Sequence, residues 1–167
     1  SLESLTMYSS KIKSLDVSSC KSLVRLNAGC GTLASVTLPE NSAIEALDLS
    51  TSSSLSEIDL SRTPSLKTLS LSNAPVRTLD LAKCPLLETL TVNFCKKITS
   101  LDVSHNFHLR SISAVQTNIS KVIMFTGQWE SIRDYCSADI KSYMITTVDI
   151  DYPEDCSSLI DDSGLRK

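Results

Sequence analysis

Apolar residues return in this chain on a fixed beat, and that beat constrains the fold more than any other feature. Twelve units begin at Leu2, Ile12, Leu23, Leu33, Ile44, Leu55, Leu66, Val76, Leu87, Ile98, Leu109 and Ile119, ten or eleven residues apart. In every unit the first, fourth and sixth places are apolar, as in Leu55, Ile58 and Leu60 or Val76, Leu79 and Leu81. A chain that is 41% apolar does not achieve this by chance, and self-similarity at a fixed period is the signature of a solenoid. From the fourth place to the sixth, apolar and polar residues alternate (Leu-Asp-Leu, Leu-Thr-Val), the period of a strand with one buried face. Two units span 21 or 22 residues and form one coil. The sequence thus predicts a mostly β, right-handed solenoid of about six coils with two short strands each. No coil can bury its own leucines; the next coil covers them, so stability is a sum over neighbours.

The ninth place holds Ser10, Cys20, Gly31, Asn41, Ser52, Thr63, Ala74, Cys84, Cys95, Asn106, Thr117 and Gly127. All are small and most form hydrogen bonds, as expected where the chain turns inward and backbone groups lose ladder partners. Pro39, Pro64, Pro75 and Pro85 all follow the strand core, where no ladder donor is lost. With this grammar, LDVSSCKSLVRL, LDLSTSSSLSEIDLS and LDVSHNFHLRSI resemble the 21-residue leucine-rich repeats of exported bacterial proteins, especially Bacteroides-type surface proteins, and more distantly internalins. The resemblance covers residues 2–126. It implies a leucine-rich-repeat solenoid, an exported or cell-surface setting, and recognition of a protein or glycan rather than catalysis. The ninth place departs from the tidier repeats, holding Asn only at Asn41 and Asn106.

After Met124 the beat stops. Trp129, Ile132 and Tyr135 recur at threes, which predicts a short helix over 128–137, and YMITTVDI predicts a returning edge strand. The expected organisation is a solenoid over 1–126, a helix-plus-strand cap over 127–156 and a flexible tail over 157–167. The chain starts inside the repeat, so further residues, an export signal among them, are expected to precede it.

Charge excludes one class of partner. Sixteen Lys and Arg nearly balance nineteen Asp and Glu, for a net charge of −3, and no basic block is present to neutralise phosphates. No apolar run approaches the ~18 residues of a membrane helix, and SLESLTMYSS lacks the charged start and apolar heart of a signal peptide. Nucleic acid and membrane insertion are therefore not expected, and the chain reads as soluble.

Several groups invite a chemical reading. Asp16, Asp59, Asp80 and Asp102 hold the fifth place of even units, with Thr37 interrupting. Stacked carboxylates are hard calcium ligands, but no DxDxDG loop or converging Glu completes a shell. The simpler expectation is that each Asp bonds the Ser two places on, which leaves Asp80 without a partner because Ala82 follows it. His105 and His108 share one turn with no zinc-spaced cluster around them, and no metal or cofactor is expected. Cys20, Cys84 and Cys95 occupy ninth places as small core residues, which leaves Cys136 with Cys156 as the candidate bridge. The many serines lack a neighbouring base and orienting acid, and GxSxG, P-loop and GxGxxG motifs are absent, so no catalytic residues are assigned.

The two rows of strands differ in what they leave outside. Even units repeat Asp and Ser, whereas the odd units vary, as a recognition surface must. The candidate binding residues are Tyr8, Arg25, Asn27, Asp48, Thr68, Thr89, Thr91, Asn93 and Arg110. A rigid spacer with no ligand of its own is the alternative, since few aromatic anchors line either face. A third reading, ice binding by the Thr and Ser array of the odd row, is interrupted by Arg25 and Asp48.

Overall fold

The computed structural model of the chain is a parallel β-solenoid of leucine-rich-repeat type. It describes residues 1–7 and 11–137, and the backbone of 144–148. The odd units supply one six-stranded sheet, in which Ser4–Thr6, Arg25–Asn27, Ala46–Asp48, Thr68–Ser70, Thr89–Thr91 and Ser111–Ser113 lie side by side in that order. Their fourth places, Leu5, Leu26, Leu47, Leu69, Leu90 and Ile112, stand opposite one another along the stack. Each points between two coils, and Leu47, Leu69 and Leu90 are at most 1% exposed. This is the packing that the period demands.

The even row is less continuous than the sequence predicts. Ser14–Asp16 pairs with Ser35–Thr37, and Ser100–Asp102 with Lys121–Phe125, but the intervening segments 57–59 and 78–80 are not strands. Among the described residues no backbone hydrogen bond joins 35–38 to 57–60, or 57–60 to 78–81. The core nevertheless persists beneath, with Leu55 at 0% and Leu60 at 2% exposure. Apolar burial is non-directional and survives a small change in spacing that a hydrogen-bond ladder does not.

The inward turns work as expected, with two slips of register. Thr63 Oγ1 donates to the Leu60 carbonyl at 2.8 Å, Cys95 Sγ to the Leu71 carbonyl at 3.0 Å, and Asn106 Nδ2 to the carbonyls of Leu81 and Cys84 at 3.0 and 2.8 Å. At the N-terminal end, however, Cys30 and Ser42 are buried, while the predicted Gly31 and Asn41 are exposed. The turn after Ala28 is one residue short and the turn after Leu38 one residue long, relative to Leu49–Ser52. The short turn brings Gly29 against Ser50, leaving no room for a Cβ.

The end of the solenoid carries a helix at Gln128–Ile132 followed by a 3-10 turn at Arg133–Tyr135, in place of one longer helix. Gln128 enters the even inward column, its Nε2 donating to the Asn106 carbonyl at 3.1 Å and its Oε1 accepting from Phe125 N–H at 3.2 Å. Ile132 is fully buried and Trp129 packs half-buried against the core. Ser137 N–H donates to the Ile112 carbonyl, covering the last odd strand, and Met144–Val148 pairs in parallel with Lys121–Phe125. The predicted returning strand is therefore present. Cys156, the tail 157–167 and Tyr8 lie outside the described residues.

Candidate interaction face

On the odd sheet, third and fifth places point away from the core because side chains alternate along a strand. Register then aligns them across coils: Ser4, Arg25, Ala46 and Thr68 form one line, Thr6, Asn27, Asp48 and Ser70 the next. These eight residues, with Leu26 and Leu47 beneath, line a hollow of about 300 Å³. Four of the predicted residues, Arg25, Asn27, Asp48 and Thr68, thus meet at one place. Ala46 makes the depression, since a methyl group stands where its neighbours carry longer side chains. Ser4, Thr6, Ala46 and Ser70 were not among the predicted residues, although their places in the repeat put them in the same two lines.

The charges of the hollow are sparsely committed. Asp48 Oδ1 accepts the Ser50 N–H at 2.9 Å. Among the described residues Arg25 forms no salt bridge, because its register neighbours are Ser4 and Ala46. At the second place the opposite holds, where Lys67 pairs with Glu45 at 3.2 Å and Arg110 with Glu88 at 3.5 Å. Arg110 therefore stands outside the hollow with its charge already answered. Thr89 and Thr91 continue the two lines up the sheet. Asn93 is engaged within the chain, its Oδ1 accepting from Ser113 Oγ and Val115 N–H, both at 2.8 Å.

On the even face the Asp column serves the turns. Oδ1 of Asp16, Asp59, Asp80 and Asp102 accepts the backbone N–H two residues on, at 2.9 to 3.0 Å. The peptide donates in all four, with or without a Ser hydroxyl beside it, so Ala82 serves Asp80 and the expected gap in the column closes. Ser18 N–H holds the Asp16 carboxyl below its usual value, and the Ser61 hydroxyl and N–H do the same for Asp59.

Ser104 lies between Asp102 and His105, its Oγ donating to Asp102 Oδ1 at 2.7 Å and standing 3.1 Å from His105 Nδ1. In a nucleophile relay the base takes the serine proton and the acid orients the base; here the acid holds the serine itself, which is 2% exposed. Among the described residues no three His, Cys, Asp or Glu side chains are grouped to hold a metal ion, and no helix is long and apolar enough to cross a membrane.

Fold and face together describe a leucine-rich-repeat solenoid with one uncovered polar sheet. Among solved structures the chain is similar to the functional domain of InlJ from Listeria monocytogenes, described as including a cysteine ladder, at 15% identity and a TM-score of 0.44. The match covers 92% of this chain and 37% of that one, so the chain spans little more than a third of the length of the chain it matches. No family model matches the sequence, and no curated protein matches it.

Proposed function

We propose that this chain is a non-catalytic binding module of an exported or cell-surface bacterial protein, taking a protein ligand across the odd-row face. The observation that carries the reading is the hollow: Arg25, Asn27, Asp48 and Thr68 surround one depression with an apolar floor and a cation that forms no salt bridge among the described residues. A few placed polar groups around an apolar base is the usual make-up of a recognition site. Among the described residues no aromatic side chain lines the hollow to stack on a sugar ring, which favours a protein over a glycan. Thr89 and Thr91 extend the surface, Arg110 stands beside it, and Tyr8, outside the described residues, is a further contact to test.

The test is a binding screen of surface proteins against the whole chain, repeated with Arg25→Ala and with Asp59→Asn. Arg25→Ala is expected to weaken a genuine ligand by about 1 kcal/mol or more, while Asp59→Asn leaves it unchanged. A spacer would yield no saturable ligand. A ligand that ignores Arg25 and depends on Asp59 would move the site to the other face.

A further inference from the structure

The even row opens where its ladder is missing, and the opening has a chemistry of its own. A cleft of about 350 Å³ lies between segments 34–36, 57–59 and Thr78 with Asp80. Val36 and Ile58, both half-buried, give it an apolar wall, and Glu57, Asp59 and Asp80 give it charge; no Lys or Arg lines it. Glu57 forms no hydrogen bond or ion pair among the described residues, and Asp80 commits only Oδ1, to the Ala82 N–H. Arg62, the cation that acts on Asp59, is already paired with Glu40. The peptide groups of 57–59 face neighbouring coils without ladder bonds to either.

The carboxylates are spread rather than convergent, since no three acidic, His or Cys side chains among the described residues group to hold a metal. A divalent ion needs its oxygens gathered in one shell. A Lys or Arg side chain needs one carboxylate at its head and an apolar wall along its stem, and an extended segment can present several such side chains in turn. We propose that this cleft is a second interaction surface, which docks an extended Lys- or Arg-bearing segment of a partner protein. Side-chain cations meet Glu57 and Asp80, stems lie on Val36 and Ile58, and open peptide groups are available to the segment's main chain. This surface is separate from the odd-row hollow and does not depend on it.

The probe is a fluorescent peptide alternating Lys and Val, with a peptide alternating Glu and Val as control, titrated with the whole chain near physiological salt. Saturable binding of the Lys peptide alone is expected. Glu57→Gln should weaken it about five-fold and Thr78→Trp, which fills the cleft, about ten-fold or more. Both positions are exposed, and unchanged thermal unfolding of each variant separates lost docking from lost folding. Absence of saturable binding, equal binding of the Glu peptide, or binding that survives both variants overturns the proposal. So does a loss on Arg25→Ala with Thr78→Trp silent, which would place the peptide in the odd-row hollow.

Discussion

The odd and even rows are written with the same figure and fold to different tightness. Along the odd row Leu26, Leu47, Leu69, Leu90 and Ile112 are at most 1% exposed and only the terminal Leu5 is half-buried; along the even row Leu15, Val36 and Ile58 are half-buried and Leu79 reaches 8%, with Leu101 and Val122 closing to 1% or less toward the C-terminal end. The difference lies at the eighth place. There Thr51, Asn73 and Phe94 adopt positive φ and donate N–H to the carbonyls of Ser72, Asn93 and Val115 on the next coil, at 2.7 to 2.8 Å. Three successive odd coils are thereby tied, each to the next, beyond their own ladder. The even turns also fold their Asp side chains back onto local N–H groups, and the middle coils are joined there by isolated bonds, such as that from Ser42 N–H to the Arg62 carbonyl, rather than by a ladder. A shared hydrophobic period thus specifies a core without specifying how firmly either side is closed.

Paired substitutions at the fourth place sharpen that contrast most. Leu69→Asp, inside a middle odd coil, should cost about 4 kcal/mol or more, because the carboxylate is buried without a partner. Ile58→Asp, on the open even side, should cost only about 1–2 kcal/mol, since its carboxylate can reach water. Thermal or denaturant unfolding reads both, and equal losses would mean that the even row is as closed as the odd.

A smaller effect is expected at the short odd turn. Gly29→Ala places a methyl against the backbone carbonyl of Ser50, which the stacked coil cannot easily yield, and should cost about 2–3 kcal/mol. Gly31→Ala would meet only Ser53 Oγ at 3.4 Å and should stay within about 0.5 kcal/mol of the parent. A harmless Gly29→Ala would show that the first coils are looser than the rest.

Much of this architecture is legible in the residues because periodicity fixes direction. Leu47 and Leu69 must point inward if Ile44 and Leu66 start units, and Arg25, Asn27, Asp48 and Thr68 must then share an outer face. What escapes is whatever depends on a partner rather than on a place. Asn93 is on the predicted face yet bonded to Ser113, and Arg110 is beside it yet paired with Glu88. Ala46 shapes the hollow by being small, which is visible only beside its neighbours. Thr51 and Phe94 give no warning of positive φ, a conformation that Gly or Asn would have announced. Cys30 and Ser42 take the inward places expected of Gly31 and Asn41 because the turns before them differ in length by one residue, which a fixed period does not show.

The smallest effects belong to pH, where buried thiols and exposed carboxyls act at opposite ends of the scale; burial raises the thiol of Cys84 in the even inward column as it does that of Cys95 in the odd. Cys95, in the odd inward column, is fully buried, and desolvation pushes its thiol from 9.0 up to about 11. The unfolded chain therefore loses this proton before the folded one does. The associated stability is present below pH 9 and is lost as pH rises toward the folded value near 11. Asp16 and Asp59, on the even face, move the other way: hydrogen bonds from Ser18 and Ser61 hold their carboxyls below 3.8. Their contribution is present above pH 3.8 and is lost as pH falls through the lowered values. Both carboxyls are exposed, so the acid limb should be the shallower of the two. Cys95→Ala should remove part of the alkaline limb and leave the acid limb alone. Asp59→Asn keeps an oxygen for the Ser61 N–H but no longer titrates, so it should flatten the acid limb with little change at neutral pH. Urea unfolding across pH measures both. If Asp59→Asn altered the alkaline limb, or Cys95→Ala the acid one, the two rows would be coupled rather than independently closed.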